Sequence, residues 1–350
     1  MDLALLAKED ELTRADAADV RRALKAARVA YRDVRDARKA IADVLVVVGD
    51  SGFVLDAVRA APTGVAVLGV GTGPAFLAEV TAAQFPSAAR RLASSDYRVE
   101  EVDRMTCSVG GEVRGSAVNE AALLASTSGQ IVRYSLSVDD ELVWRDRGDG
   151  VIVATPTGST AYALSAGGPI VLPDAGVLSV VPVCSTDDAK PVVVRRDARI
   201  RLTDVDARGG VDLVLDGRER SRVGHREEVV LTRSDEPARF VRFTEKRASA
   251  VVGKLKAQRE AGDELARAPP SAKFLHRLLV YEGPLTQQEL VRESQLGERT
   301  VRNAMAWLLA EGIVVKEPTF RDARQGVYTL VGRAGRPKRP PTHGRSERTS

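Results

Sequence analysis

Short segments carry the side chains that could do chemistry. Gly49-Asp50-Ser51-Gly52 puts a carboxylate in a glycine turn directly after the apolar run Val44–Val48. Asn119-Glu120 is a polar pair inside the apolar run Ala117–Leu124. Arg147-Gly148-Asp149-Gly150 precedes the β-branched run Val151–Val153, and Thr155-Pro156-Thr157-Gly158-Ser159-Thr160 follows it as a bend crowded with hydroxyls. Ala161–Ala166 then has the composition of a helix's first turns, until Gly167-Gly168-Pro169 stops it. A strand, a small-residue bend and a helix start make a cradle for an anion or a nucleotide. Backbone N–H groups point outward there, Gly158 lets a ligand come close, and the hydroxyls donate hydrogen bonds. The alternative is a Thr/Ser-rich bend that only caps a helix. Asp50 sits where a carboxylate can face a crevice, or where an Asx turn merely closes a loop. A buried Glu120 would be paired or used, whereas at a strand end the pair would face water. Asp216-Gly217 reads as a hairpin turn. Together these groups suit phosphoryl transfer, which asks for a carboxylate near the acceptor hydroxyl. It also asks for backbone amides, usually with Mg²⁺, around the donor phosphates.

The elements that must hold these groups change texture along the chain. Leu3–Ala7 is a short strand, and Asp16–Val29 has helical spacing, with Val20, Leu24 and Ala27 on one face. Val34–Ile41 is expected to form a second short helix, followed by the buried parallel strand Val44–Val48 and a helix over Phe53–Arg59. Val65–Val70 is another buried strand, leading through Gly69, Gly71 and Gly73 to a helix that begins at Phe76–Val80. Strands alternating with helices imply a parallel sheet, with ligands outside its carboxyl ends. From Val99 onward come strands at short intervals: Tyr97–Val109, Val113–Leu124, Ile131–Val138, Leu142–Trp144, Val177–Val183, Val192–Val194, Ile200–Leu202, Val211–Leu215, Val229–Leu231 and Phe240–Phe243. Val251–Leu265 is a charged, helix-like segment ending at Pro269-Pro270.

The expected architecture is therefore an α/β N-terminal domain (1–100) plus a β-rich second domain (101–247). A helical linker (248–270) leads to a small α+β domain (271–332) and a disordered basic tail (333–350). In the small domain, helices over Phe274–Tyr281, Thr286–Ser294 and Arg299–Glu311 precede strands Ile313–Lys316 and Val327–Val331. That order resembles a winged helix-turn-helix domain. Arg299, Thr300, Arg302 and Asn303 would begin its recognition helix, and the loop Thr319–Gln325 with Arg321 and Arg324 would be its wing. DNA is the partner this suggests, with a protein-contact or dimerisation module as the alternative.

Bulk composition bounds the rest. A chain of 350 residues, 44% hydrophobic but 4% aromatic, would fill its cores with Val, Ala and Leu. No apolar run approaches the ~18 residues that would suggest a membrane span. Cys107 and Cys184 both lie in apolar surroundings and are expected to be buried free thiols of a cytoplasmic protein. The three histidines, His225, His276 and His343, have no metal-site spacing.

The long run Asp149–Pro169, with Gly49-Asp50, Val67–Gly73, Phe76-Leu77, Asn119-Glu120 and Asp216-Gly217 in the same order, resembles the signature of NAD kinases. The resemblance covers roughly Asp2 to Arg247. It implies that the chain moves a phosphate from ATP or polyphosphate, with Mg²⁺, to the ribose 2′-hydroxyl of NAD. Asp50 would be the general base, with Ser51 beside it. Asn119 and Glu120 would hold the adenosine part, and Asp149 would contact the nicotinamide side with Arg147 nearby. Thr157, Gly158, Ser159, Thr160, Ala161, Tyr162 and Ser165 would line the NAD site. A homo-oligomer would fit the family. This chain departs from the pattern at Val48, Ser51 and Gly52, where the family has Gly, Gly and Thr around the aspartate. It also carries Ser185-Thr186-Asp187-Asp188 after strand Val180–Val183, in place of a Pro-His-Ser run. The altered turn Val48–Gly52 favours the alternative of a catalytically weakened, NAD(P)-sensing transcriptional regulator.

Overall fold

The computed structural model describes residues 1–71, 77–127, 129–243, 268–282, 284–294, 296–318 and 326–330. The chain divides into two compact units, Met1–Lys254 and Leu255–Ser350.

The first unit opens with β1 (Leu3–Ala7), α1 (Glu11–Ala26), β2 (Arg32–Asp33), β3 (Val44–Gly49), α2 (Ser51–Ala60), β4 (Ala66–Gly71), β5 (Val80–Thr81), α3 (Phe85–Ala93) and β6 (Arg98–Val102). β1 through β5 pair in parallel. Every residue of β3 is buried. Its side chains alternate between two cores, because successive residues of a strand face opposite ways. Val44, Val46 and Val48 meet Val20 and Leu24 of α1 and Phe85 and Leu92 of α3. Leu45 and Val47 meet Val54, Leu55 and Val58 of α2 on the other side. With apolar layers on both faces, the sheet can read as continuous Val and Leu.

Several expectations are corrected here. Val34–Ile41 forms only one 3₁₀ turn, Ala37–Lys39, capped by Asp36. Leu77–Val80 is not helical; the helix starts later, at Phe85, after a capping box between Thr81 and Gln84. Gly73 and Phe76 lie outside the described residues.

The second lobe of this unit is built from β7 (Met105–Val109), β8 (Glu112–Ala117), β9 (Glu120–Ala125), β10 (Val132–Val138), β11 (Glu141–Gly148), β12 (Gly150–Ala154), α4 (Tyr162–Ser165), β13 (Val177–Val183), β14 (Val192–Arg195), β15 (Ile200–Asp206), β16 (Val211–Leu215), β17 (Glu219–Val223) and β18 (Val229–Arg233). They form two antiparallel sheets, ordered β11-β10-β15-β18-β7-β8 and β14-β13-β12-β9-β16-β17. One core lies between them: Met105, Leu136 and Leu202 from the first sheet pack with Leu123, Val151 and Leu213 from the second. The single expected strand Val113–Leu124 is two strands, interrupted at Val118-Asn119. β19 (Ala238–Arg242) returns to the parallel sheet, beside β4 and β6. The expected boundary at 247 therefore misplaces this strand. Buried Phe240 belongs to the core of the first lobe, which the local sequence does not reveal.

The second unit holds α5 (Pro270–Glu282), β20 (Leu285–Thr286), α6 (Gln287–Ser294), α7 (Glu298–Ala310), β21 (Val314–Pro318) and β22 (Gly326–Leu330). Its strands are ordered β20-β22-β21. Leu275, Leu290, Val301, Met305, Leu308 and Tyr328 form its core. Thr286 caps α6: its Oγ1 accepts from Glu289 N, and the Glu289 carboxylate accepts from Thr286 N at 2.8 Å. The linker segment 248–267, Arg321, Arg324 and the basic tail lie outside the described residues.

Candidate functional site

Strand register gathers the predicted groups at one end of the second antiparallel sheet. β9 lies between β12 and β16, with Glu120 opposite Ala154 and Ala121 opposite Leu215. Asn119-Glu120, the bend after Ala154 and the turn after Leu215 therefore share an edge. Thr155 ties two of them together: its N–H donates to the Asn119 carbonyl at 2.9 Å, and its Oγ1 donates to the Val118 carbonyl at 2.6 Å. Gly158 sits directly against the Asn119 carbonyl, and a Cβ there would overlap it. The glycine is thus required by backbone packing against Asn119.

The third turn supplies a carboxylate. Asp216, at φ 52°, opens the Asp216-Gly217-Arg218 loop between β16 and β17. It is the expected hairpin turn, and more. Its side chain accepts from Val118 N at 2.9 Å, Asn119 N at 2.7 Å and Glu120 N at 3.1 Å. Arg59 of α2 approaches the same carboxylate at 3.1 Å and Glu219 at 2.9 Å. Burial pushes the Asp216 carboxyl up, and the backbone donors and Arg59 offset part of that rise. Burial, with Asp216 nearby, pushes the neighbouring Glu120 carboxyl up to about 8. The shift favours the protonated form of Glu120. Glu120 Oε2 and Asn119 Oδ1 are buried without a hydrogen-bond partner, which leaves polar capacity for a ligand.

Asp50 caps α2 at the carboxyl end of β3. Its Oδ1 accepts from Phe53 N at 2.8 Å, and its Oδ2 accepts from Lys8 Nζ at 2.6 Å. Burial opposes the charge, but Lys8, the Phe53 N–H and the nearby Arg218 hold the carboxyl below the ordinary aspartate range. Arg218 reaches α2 from the hairpin; its Nε is 3.2 Å from Asp56 Oδ1. A Cβ on Gly52 would overlap Arg218 Nη2 and lie 3.2 Å from Asp50 Oδ1. The hairpin thus touches both the Asp50 turn and the Asn119 backbone.

Comparison with known proteins fits this geometry. The model of the ATP-NAD kinase C-terminal domain matches residues 118–243. An NAD kinase of Methanopyrus kandleri is 39% identical over 207 residues, which is 57% of this chain and 73% of the relative. The chain belongs to the NAD kinase family. A crystal structure of an NAD kinase from Archaeoglobus fulgidus in complex with ATP superimposes with a TM-score of 0.64 at 28% identity, covering 73% of this chain and 99% of that one. A yeast NADH kinase complexed with NADH shares the fold at 20% identity, with the same TM-score, covering 73% of this chain and 86% of that one.

Not all the residues expected from the NAD kinase signature are brought together. Arg147 and Asp149 flank the start of β12, while Thr155 follows its end; five strand residues at about 3.3 Å each separate them. Arg147 pairs with Asp187 at 2.6 Å, and its carbonyl accepts from Thr186 N. Cys184, expected to be buried, is exposed in a left-handed turn at φ 50° beside Asp149. Cys107 is buried. Nor do the hydroxyls of the bend all face a ligand. Ser159 Oγ donates to Pro156 O at 2.7 Å and accepts from Val171 N at 3.0 Å, so it holds the bend shut. Thr160 Oγ1 bonds back to Thr157 O at 3.3 Å. The bend runs through a 3₁₀ turn, Gly158–Thr160, into the single turn of α4, on which Tyr162 and Ser165 are exposed. Sequence reasoning passed over Lys8, Arg59 and Arg218. The place of Lys8, just after β1, was a usable signal; the others carry none.

Proposed function

We propose that this chain phosphorylates NAD, moving the terminal phosphate of ATP or polyphosphate to the adenosine ribose 2′-hydroxyl. The observation that carries the reading is the hairpin 215–219, which touches both the turn of an ionised Asp50 and the Asn119-Glu120 backbone. Asp50 accepts the proton of the 2′-hydroxyl, since it is charged at neutral pH and half-exposed. Asn119 and the protonated Glu120 hold the adenosine through their unpartnered oxygens. Thr157, Gly158, Ser159, Thr160, Ala161, Tyr162 and Ser165 shape the remaining wall, with Ser51 at the phosphate side and Arg147 and Asp149 toward the nicotinamide. Among the described residues no group of three His, Cys, Asp or Glu could hold a metal ion, and both Asp50 oxygens already have partners. Mg²⁺ would arrive on the donor phosphates. NADP formation from NAD with ATP or polyphosphate tests the reading, with loss in Asp50→Ala. No turnover by the intact chain with either donor eliminates it.

The second unit supports a separate reading as a winged helix. Arg299, Thr300, Arg302 and Asn303 are exposed along α7, while Val301, Ala304 and Met305 turn inward. We propose that this polar face contacts nucleic acid phosphates. A salt-sensitive shift of duplex DNA by the full chain, lost on removing residues 271–350, is the expected result. An unchanged shift after that removal eliminates it.

A further inference from the structure

The Asp50 turn is short of a group that phosphoryl transfer uses. The transferring phosphoryl spreads its charge over three outer oxygens, which hydroxyls, amides and cations must meet. Residue 52 is glycine and offers no side-chain hydroxyl. The space is not empty: a Cβ at residue 52 would overlap Arg218 Nη2 and stand 3.5 Å from its Cζ. A threonine at 52 would make the Arg218 guanidinium shift from this position.

Arg218 is suited to the task in ways the other nearby cations are not. Lys8 is committed to Asp50 at 2.6 Å and Asp10 at 3.4 Å. Arg59 is buried against Asp216 and Glu219. Among the described residues, the ion-pair partner of Arg218 is Asp56, and both side chains are about half exposed, at 48% and 47%. Such a pair holds a guanidinium weakly and can yield it to a stronger anion. The backbone beneath it is firm, since Arg218 N donates to Leu215 O at 2.9 Å and the preceding Asp216 is latched to three N–H groups. A rigid base with a loosely held planar fork matches the bidentate geometry of phosphate oxygens.

We propose that Arg218 is a catalytic residue of this chain, binding the outer oxygens of the transferring phosphoryl group in place of the hydroxyl absent at Gly52. The proposal rests on the NAD kinase reading above. In the step, the ribose 2′-oxygen bonds to the terminal phosphorus and its proton passes to Asp50. The bond from that phosphorus to the bridging oxygen breaks, and the electron pair leaves on the remaining phosphate chain. Arg218 keeps its protons throughout and neutralises charge. Gly52 is the partner of this arrangement, because a Cβ there overlaps Nη2 and makes the guanidinium shift from this position.

The test uses the full chain as wild type, R218M, R218K, G52A and the R218M/G52A double variant. Tripolyphosphate binding is titrated by calorimetry, and NADP formation is followed with ATP or polyphosphate as donor. R218M is expected to weaken tripolyphosphate about tenfold and to lower kcat on the order of 10³-fold. KM for NAD should stay within about twofold, because Asn119 and Glu120 are untouched. R218K, which keeps charge without the fork, should fall between. G52A, whose methyl makes the guanidinium shift, should weaken tripolyphosphate in the same direction as R218M but by less, with the double variant no worse than R218M. R218M turning over and binding tripolyphosphate like wild type overturns the proposal. A wild-type chain that makes no NADP from either donor overturns the NAD kinase reading and this role together, whereas turnover that survives R218M removes Arg218 alone.

Discussion

Arg59 Nε lies 3.1 Å from Asp216 Oδ2, and the Asp216 side chain is wholly buried. This pair joins a helix of the parallel-sheet lobe to the loop that holds the Asn119 backbone. Asp216 cannot be solvated where it stands; burial pushes its carboxyl up, and Arg59 and three N–H donors offset part of that rise.

Arg59→Met is expected to remove the ion-pair partner of a buried carboxyl group, leaving it only the three N–H donors, and to destabilise the first unit by about 3 kcal/mol. The loss should appear in NAD affinity before it appears in the chemical step, because Asp216 positions residues 118–120. Urea unfolding and a KM-against-kcat comparison check this. An unchanged KM for NAD with a reduced kcat would show that the pair does not position the Asn119 segment.

Lys8→Met should move the acid limb of kcat/KM. In the wild-type chain the Asp50 carboxyl is held below its ordinary 3.8, so activity is lost only as pH falls through that lowered value. Removing Lys8 takes away a hydrogen bond and a charge that favour the carboxylate, while burial still opposes it. The limb should shift upward. A pH–rate profile of both proteins reads this directly, and coincident acid limbs would refute it.

Glu120 gives a stability signature of opposite sign. Its carboxyl titrates near 4.5 when unfolded and at about 8 when folded. Between those values the folded chain binds the extra proton, so stability falls as pH rises from about 4.5 to about 8 and then levels. Glu120→Gln removes this dependence. Thermal melts of both proteins across that range should diverge increasingly toward alkaline pH, with the variant the more stable. Parallel curves would mean that Glu120 is already ionised.

Local runs made much of this arrangement legible. Val44–Val48 and Val151–Val153 announce buried strands, so the turns that follow them could be placed at strand ends. Long-range pairing was not legible. Asp216 accepts from Asn119 N across 97 positions, and neither residue's neighbours hint at the other. Arg59 and Arg218 look like surface arginines in the sequence; the three-residue hairpin loop brings Asp216 and Arg218 to α2. The exposure of Cys184 depends on a left-handed turn after β13 that its apolar neighbours conceal. Helix α3 escaped notice because alanines and arginines dilute its apolar face of Phe85, Ala88, Ala89 and Leu92.

Gly158→Ala and Ser159→Ala separate the two roles of the hydroxyl-rich bend. A methyl at 158 overlaps the Asn119 carbonyl, so either the bend or Asn119 must shift. Such overpacking costs about 1–3 kcal/mol and displaces the groups assigned to adenosine. Gly158→Ala should therefore raise KM for NAD about tenfold or more, at a free-energy change of about 1.4 kcal/mol per decade. Ser159 spends its hydroxyl on Pro156 O and Val171 N, and losing those bonds costs about 1–2 kcal/mol of stability. Because that hydroxyl faces inward, Ser159→Ala should lower the melting temperature while leaving KM for NAD nearly unchanged. Steady-state kinetics beside melting curves distinguish the pair. If Ser159→Ala instead raised KM with no loss of stability, its hydroxyl would face the ligand and the bend would be a direct contact.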